Sequence, residues 1–116
     1  MHMENERNKA AVYLMGKKTG ILERTAEGFR FTYNREYLSS ENPEPVSLTL
    51  PLTEKTYENE TLFPFFLGLI PEGWLLEITS RILKIDPDNT FQLLVETCRD
   101  CIGAVTVAPL EQGDDA

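Results

Sequence analysis

Phe29-Arg30-Phe31-Thr32-Tyr33 alternates aromatic and polar side chains without a break. Successive side chains of a strand point to opposite faces, so the three aromatics line one face and Arg30 and Thr32 the other. That period marks a half-buried strand and places a sheet at the centre of the fold. Upstream, Ala26-Glu27-Gly28 reads as a turn, and Ile21-Leu22-Glu23 starts a partner strand. Gly16-Lys17-Lys18-Thr19-Gly20 reads as the turn of a hairpin, and the apolar run Ala10 to Met15 as a buried strand. Downstream, Asn34 is placed to cap a short turn carrying Tyr37 and Leu38, and Ser39 to Pro45 is a polar loop. Val46-Ser47-Leu48-Thr49-Leu50-Pro51-Leu52 alternates a second time. It predicts a strand with Val46, Leu48, Leu50 and Leu52 on one face, kept short or at an edge by Pro51, which lacks an N–H. Thr53 to Asn59 reads as a charged loop.

The period then changes. Leu62, Phe65, Phe66, Leu69 and Ile70 recur at helical spacing. Pro64 suits a first turn, where its missing N–H costs nothing, and Pro71 breaks the segment. A second helix is predicted from Glu72 to about Ile85, with Trp74, Leu75, Ile78, Ile82 and Ile85 on one arc and Leu76 and Leu83 nearly opposite. Two stripes mean a helix contacted on two sides. Asn89 and Gln92 have capping-box spacing. They precede a short buried helix carrying Phe91, Leu93, Leu94 and Val95. Gly103 ends a turn, and Ala104 to Ala108 is the last strand. Strands first, helices next and a returning strand define an α+β fold. The expected architecture is a small antiparallel sheet or partial barrel of about five strands, with two to three helices inserted before the last strand. Residues 1–9 are expected to be a disordered segment or tag remnant, 10–110 the domain, and 111–116 an acidic frayed tail.

A chain of 116 residues is one domain. It can bury a core without staples, yet a complete protein kinase or TIM barrel needs about twice this length. The net charge is −8, from 19 acids against 11 Lys and Arg. It is unevenly spread: between Glu36 and Glu77 stand eight acids and a single base, Lys55. Phosphate backbones and anionic bilayers require clustered bases, so neither nucleic acid nor a membrane surface is an expected direct partner. A basic protein is. No stretch has the form of a signal peptide or a membrane span, and a cytoplasmic location is expected.

Chemistry-bearing motifs are few. The glycines at 16, 20 and 28 fall in hairpin turns without phosphate-loop spacing. Ser47 has no histidine to activate it, since the only one is His2. Acid pairs such as Glu58/Glu60 and Asp86/Asp88 lie in loops and read as solvated charges. Cys98 and Cys101 form a CxxC pair. Zinc would need about two more soft ligands, and redox use would place the pair at the start of a helix rather than after one. The cysteines therefore read as small half-buried residues beside a turn. No catalytic residue, metal or cofactor is expected, and the chain is expected not to be an enzyme.

One segment exceeds what a core requires. Phe63 to Trp74 holds three Phe, the only Trp, two Pro and two Gly. Phe65 and Phe66 read as core. Trp74 stands at the edge of its arc, just after Gly73, where core and partner contact fit equally well. Pro71, Glu72, Gly73 and Trp74 are the candidate partner-binding residues.

Three runs occur in order: Pro45-Val46-Ser47-Leu48-Thr49-Leu50-Pro51-Leu52, Phe65-Phe66-Leu67-Gly68-Leu69-Ile70-Pro71-Glu72-Gly73, and Arg99-Asp100-Cys101-Ile102-Gly103-Ala104-Val105. Together they resemble the N-terminal subdomain of HipA-type serine/threonine kinases, toxins of bacterial toxin–antitoxin systems. The resemblance spans about residues 10 to 110. None of the residues of the kinase core is present. The family includes tripartite systems in which a free-standing HipS-like protein accompanies a shortened HipT-like kinase and a HipB-like helix-turn-helix protein. The resemblance thus implies an antitoxin that binds and inhibits a HipT-like kinase, with a HipB-like protein as the further member of a ternary complex. The alternative reading is the N-terminal fragment of a full-length HipA-like kinase that covers the kinase N-lobe, and a third is an interaction domain with no kinase partner.

Overall fold

A computed structural model describes residues 8–70, 81, 89–98 and 104–110. Five strands, β1 (Lys9–Leu14), β2 (Lys17–Thr25), β3 (Gly28–Tyr33), β4 (Tyr57–Asn59) and β5 (Val105–Pro109), form one antiparallel sheet in the order β4-β3-β2-β1-β5. The described helices are short: α1 (Arg35–Leu38), α2 (Pro64–Leu67) and α3 (Thr90–Cys98). The last strand returns beside the first, with Val12 opposite Val107. The architecture is the expected α+β one, with the sheet open rather than closed.

The aromatic face of β3 carries the core. Phe31 is fully buried and meets Tyr33 edge-on at 4.8 Å between ring centroids and Phe66 of α2 at 5.7 Å. Phe63 and Phe65 pack edge-on against Phe66. Aromatic pairs favour such geometries because the ring edge is positive and the face negative. Leu62, Phe66 and Ile70 are buried at a spacing of one helical turn, as read from the sequence, although the α-helix itself closes at Gly68. From α3, Phe91, Leu93, Leu94 and Val95 complete the core. The opposite face of the sheet carries a row of alternating charge, Lys9, Glu23, Arg30 and Glu58, each opposite the next.

The structure corrects four local expectations. The first hairpin turns on Met15 and Gly16 alone, whose φ angles are 53° and 84°. Positive φ at both central residues matches the twist of the flanking strands. Lys17 to Gly20 therefore belong to β2, and Thr19 is the extra residue of a bulge between Val12 and Tyr13. Its hydroxyl is buried and donates to the Val12 carbonyl at 2.9 Å, so a polar residue that suggests a turn sits inside the sheet. Secondly, Asn34 holds the N-cap position of α1 without a side-chain bond.

Thirdly, Val46 to Leu52 is not a strand. Ser47 and Leu50 bridge each other around a tight turn, with the Leu50 N–H donating to the Ser47 carbonyl at 3.0 Å. The Ser47 hydroxyl accepts from the Thr49 N–H at 3.1 Å, a local bond that competes with strand pairing. Val46 and Leu50 are buried, but Leu48 is 93% exposed. Lastly, the supposed charged loop contains β4, which pairs Phe31 with Tyr57 and Arg30 with Glu58. Of the helix read from Glu72 to Ile85, only Arg81 lies among the described residues, and it is helical.

Candidate docking surface

The segment from Glu44 to Pro51 is held by three tyrosine hydroxyls. Tyr37, buried in α1, accepts from the Glu44 N–H at 2.9 Å and donates to the Glu44 carbonyl at 2.6 Å. Tyr33, buried at the end of β3, accepts from the Val46 N–H at 3.1 Å and donates to the Leu50 carbonyl. Tyr57 of β4 donates to the Pro51 carbonyl at 2.6 Å. The Tyr33 and Tyr37 rings stack at 6.4 Å, so the clamps support each other. Burial pushes the Tyr33 hydroxyl above its ordinary pKa of 10.0, partly offset by the Val46 N–H and reinforced by Tyr57 and Tyr37. Tyr33 thus stays neutral and keeps its donor.

At the apex, the Ser47 and Thr49 hydroxyls bond each other at 2.9 Å, leaving Leu48 between them in solvent. Glu44 at the start of the segment is exposed, as are Glu36, Glu41, Glu54, Glu58 and Glu60 outside it. The acidity seen in composition is therefore a surface property here. Arg30, 3.7 Å from Glu23 and 3.5 Å from Glu58, neutralises part of it on the sheet face.

Pro71, Glu72, Gly73 and Trp74 lie outside the described residues; Ile70, the residue before them, is buried. Cys101 is also outside them. Among the described residues, no three His, Cys, Asp or Glu side chains gather where they could hold a metal ion. Sequence reading missed the clamped apex because alternation from Val46 to Leu52 assigns Leu48 to the same face as Val46 and Leu50. The bracketing Pro45 and Pro51, with hydroxyls at 47 and 49, were the available signal for a turn.

Three tyrosine hydroxyls thus hold a loop flanked by exposed glutamates over an aromatic core. The HipA N-terminal domain family model matches residues 10–108, and the chain belongs to that family. A Haemophilus influenzae protein is 34% identical over 101 residues, covering 87% of this chain and 92% of its own length. Two Sinorhizobium fredii proteins bearing the names "Putative kinase Y4mE" and "Putative kinase Y4dM" are 34% and 35% identical over 71% and 90% of this chain. The matches span only 20% and 27% of those longer relatives. Among solved structures, an N-terminal domain of HipA toxin superposes with a TM-score of 0.70 at 30% identity, covering 90% of this chain and 94% of that one.

Proposed function

We propose that this chain is a non-catalytic antitoxin subunit that binds a HipA/HipT-like serine/threonine kinase and inhibits it. The observation that carries the reading is the family match over residues 10–108, which takes up nearly all of the chain with a HipA N-terminal domain. The sequence carries no kinase phosphate loop or catalytic aspartate–asparagine set. The exposed acids from Glu36 to Glu60 supply a field that steers a basic kinase face toward the domain. Trp74, with Pro71, Glu72 and Gly73, is the proposed anchor, since an indole filling a pocket contributes about 2–4 kcal/mol at a hot spot. A HipB-like DNA-binding protein would be the further member of a ternary complex, with no direct contact between this chain and DNA, and the proposed setting is the bacterial cytoplasm. No described helix is long and apolar enough to cross a membrane.

Autophosphorylation of a HipA-type kinase, followed while this protein is titrated in, tests the proposal. Inhibition at stoichiometric protein is expected; unchanged autophosphorylation in excess protein overturns it. Trp74→Ala should raise the inhibitory concentration at least about tenfold while lowering the thermal midpoint only modestly. A collapse of the fold would make Trp74 a core residue instead. The Sinorhizobium relatives favour a second reading, in which the domain is the N-terminal part of a full-length HipA-like kinase and covers its N-lobe. The reading frame downstream separates the two: a stop codon before a separate kinase gene favours the antitoxin.

A further inference from the structure

Leu48 is the most exposed of the large hydrophobic side chains among the described residues, at 93%. A single exposed leucine is ordinary on a mobile loop. This one stands on backbone tied at Glu44, Val46, Leu50 and Pro51 by the hydroxyls of Tyr37, Tyr33 and Tyr57. Buried Val46 and Leu50 anchor both sides of the turn. The Ser47–Thr49 bond closes its apex. The ordering entropy of the loop is thus settled on folding, and association through Leu48 need not supply it again. The exposed charges that flank the turn in sequence are mostly acidic: Glu41, Glu44 and Glu54 are exposed, against a single base, Lys55, between Glu36 and Tyr57.

We propose that Leu48 is a preformed docking knob that enters an apolar socket rimmed by basic side chains on the partner kinase. The proposal rests on the kinase-binding reading and adds to it a contact separate in sequence from Pro71 to Trp74. The leucine supplies the apolar anchor, and the glutamates pair with the rim and accelerate encounter. Because the side chain lies outside the core, its removal leaves the fold intact.

The test measures the affinity of a HipA-type kinase for wild type, Leu48→Asp, Leu48→Met and Tyr57→Phe, with the thermal midpoint and the oligomeric state of each protein. Leu48→Asp should weaken binding at least about tenfold, and Leu48→Met should stay within about threefold of wild type. Tyr57→Phe, which frees the loop at Pro51, should fall between them. The midpoint of Leu48→Asp should lie within about 2 °C of wild type, as for a surface substitution. Wild type and Leu48→Asp binding equally well overturns the knob and leaves the kinase-binding reading standing. Wild type failing to bind the kinase overturns both. Self-association of wild type that Leu48→Asp abolishes, with kinase affinity unchanged, makes a second copy the occupant and also overturns the proposal.

Discussion

Tyr33 joins the core to the surface loop. Its ring packs edge-on against Phe31, and its hydroxyl holds the backbone of Val46 and Leu50. Tyr33→Phe leaves a buried N–H and a buried carbonyl without that partner, a loss of about 1–3 kcal/mol. Urea denaturation should show it as a lower midpoint with an unchanged slope. The same residue sets an alkaline limit. Its pKa is raised in the fold, so between pH 10 and the folded value the native state holds a proton the unfolded chain has released. The stabilisation is complete below the unfolded value and is lost as pH rises through the folded one. Stability should therefore fall above about pH 10, and less steeply in Tyr33→Phe than in wild type. Equal pH slopes for the two proteins would remove Tyr33 from the account. Alternation marked Tyr33 as inward-facing; nothing local to it in the chain indicated that its hydroxyl reaches Val46 and Leu50.

At the scale of elements, α3 shows the most direct passage from sequence to structure. Asn89 and Gln92 were legible as a cap, and the Asn89 side chain accepts from the Gln92 N–H at 3.2 Å and donates to the Gln92 side chain at 3.1 Å. The fold adds Arg24 of β2, which donates to the same Asn89 oxygen at 3.0 Å and lies 5.2 Å above the Phe91 ring. One oxygen thus caps the helix and ties it to the sheet. Asn89→Ala should cost about 1 kcal/mol or more, because cap and tie are lost together. Asn89→Asp should recover much of it, and thermal melts of the two variants provide the check. The segment from Val46 to Leu52 shows the opposite case. Its period was that of a strand, but two prolines and the Ser47–Thr49 bonds closed a turn. Period-two alternation cannot separate a strand from a turn that buries its two ends and exposes its middle.

Across the whole molecule, the sheet is completed by residues far apart in the chain. β5 lies against β1, so Val107 is buried beside Val12 although about ninety-five residues separate them. Such pairing costs loop-closure entropy before any contact rewards it. Val107→Asp places an unpaired charge in the core and should abolish the cooperative thermal transition, whereas Thr106→Asp on the neighbouring, half-exposed position should retain it. A retained transition in Val107→Asp would show that the other four strands fold alone.

The sequence by itself determined the α+β class, the inward faces of β3, α2 and α3, the helix cap at Asn89, the return of the last strand and the family. These depend on local periodicity, capping chemistry and motif order, which survive in one dimension. The tertiary structure decided where the first hairpin turns, that Thr19 is a buried bulge, that Tyr57 to Asn59 pairs with β3, and that Leu48 points to solvent. Each of these depends on a partner distant in sequence: a carbonyl that satisfies a hydroxyl, a neighbouring strand that lends its edge, or tyrosines that hold a loop from 6 to 17 residues away. The negative charge belongs to both, since composition set its sign and the fold left Glu36, Glu41, Glu44, Glu54, Glu58 and Glu60 exposed.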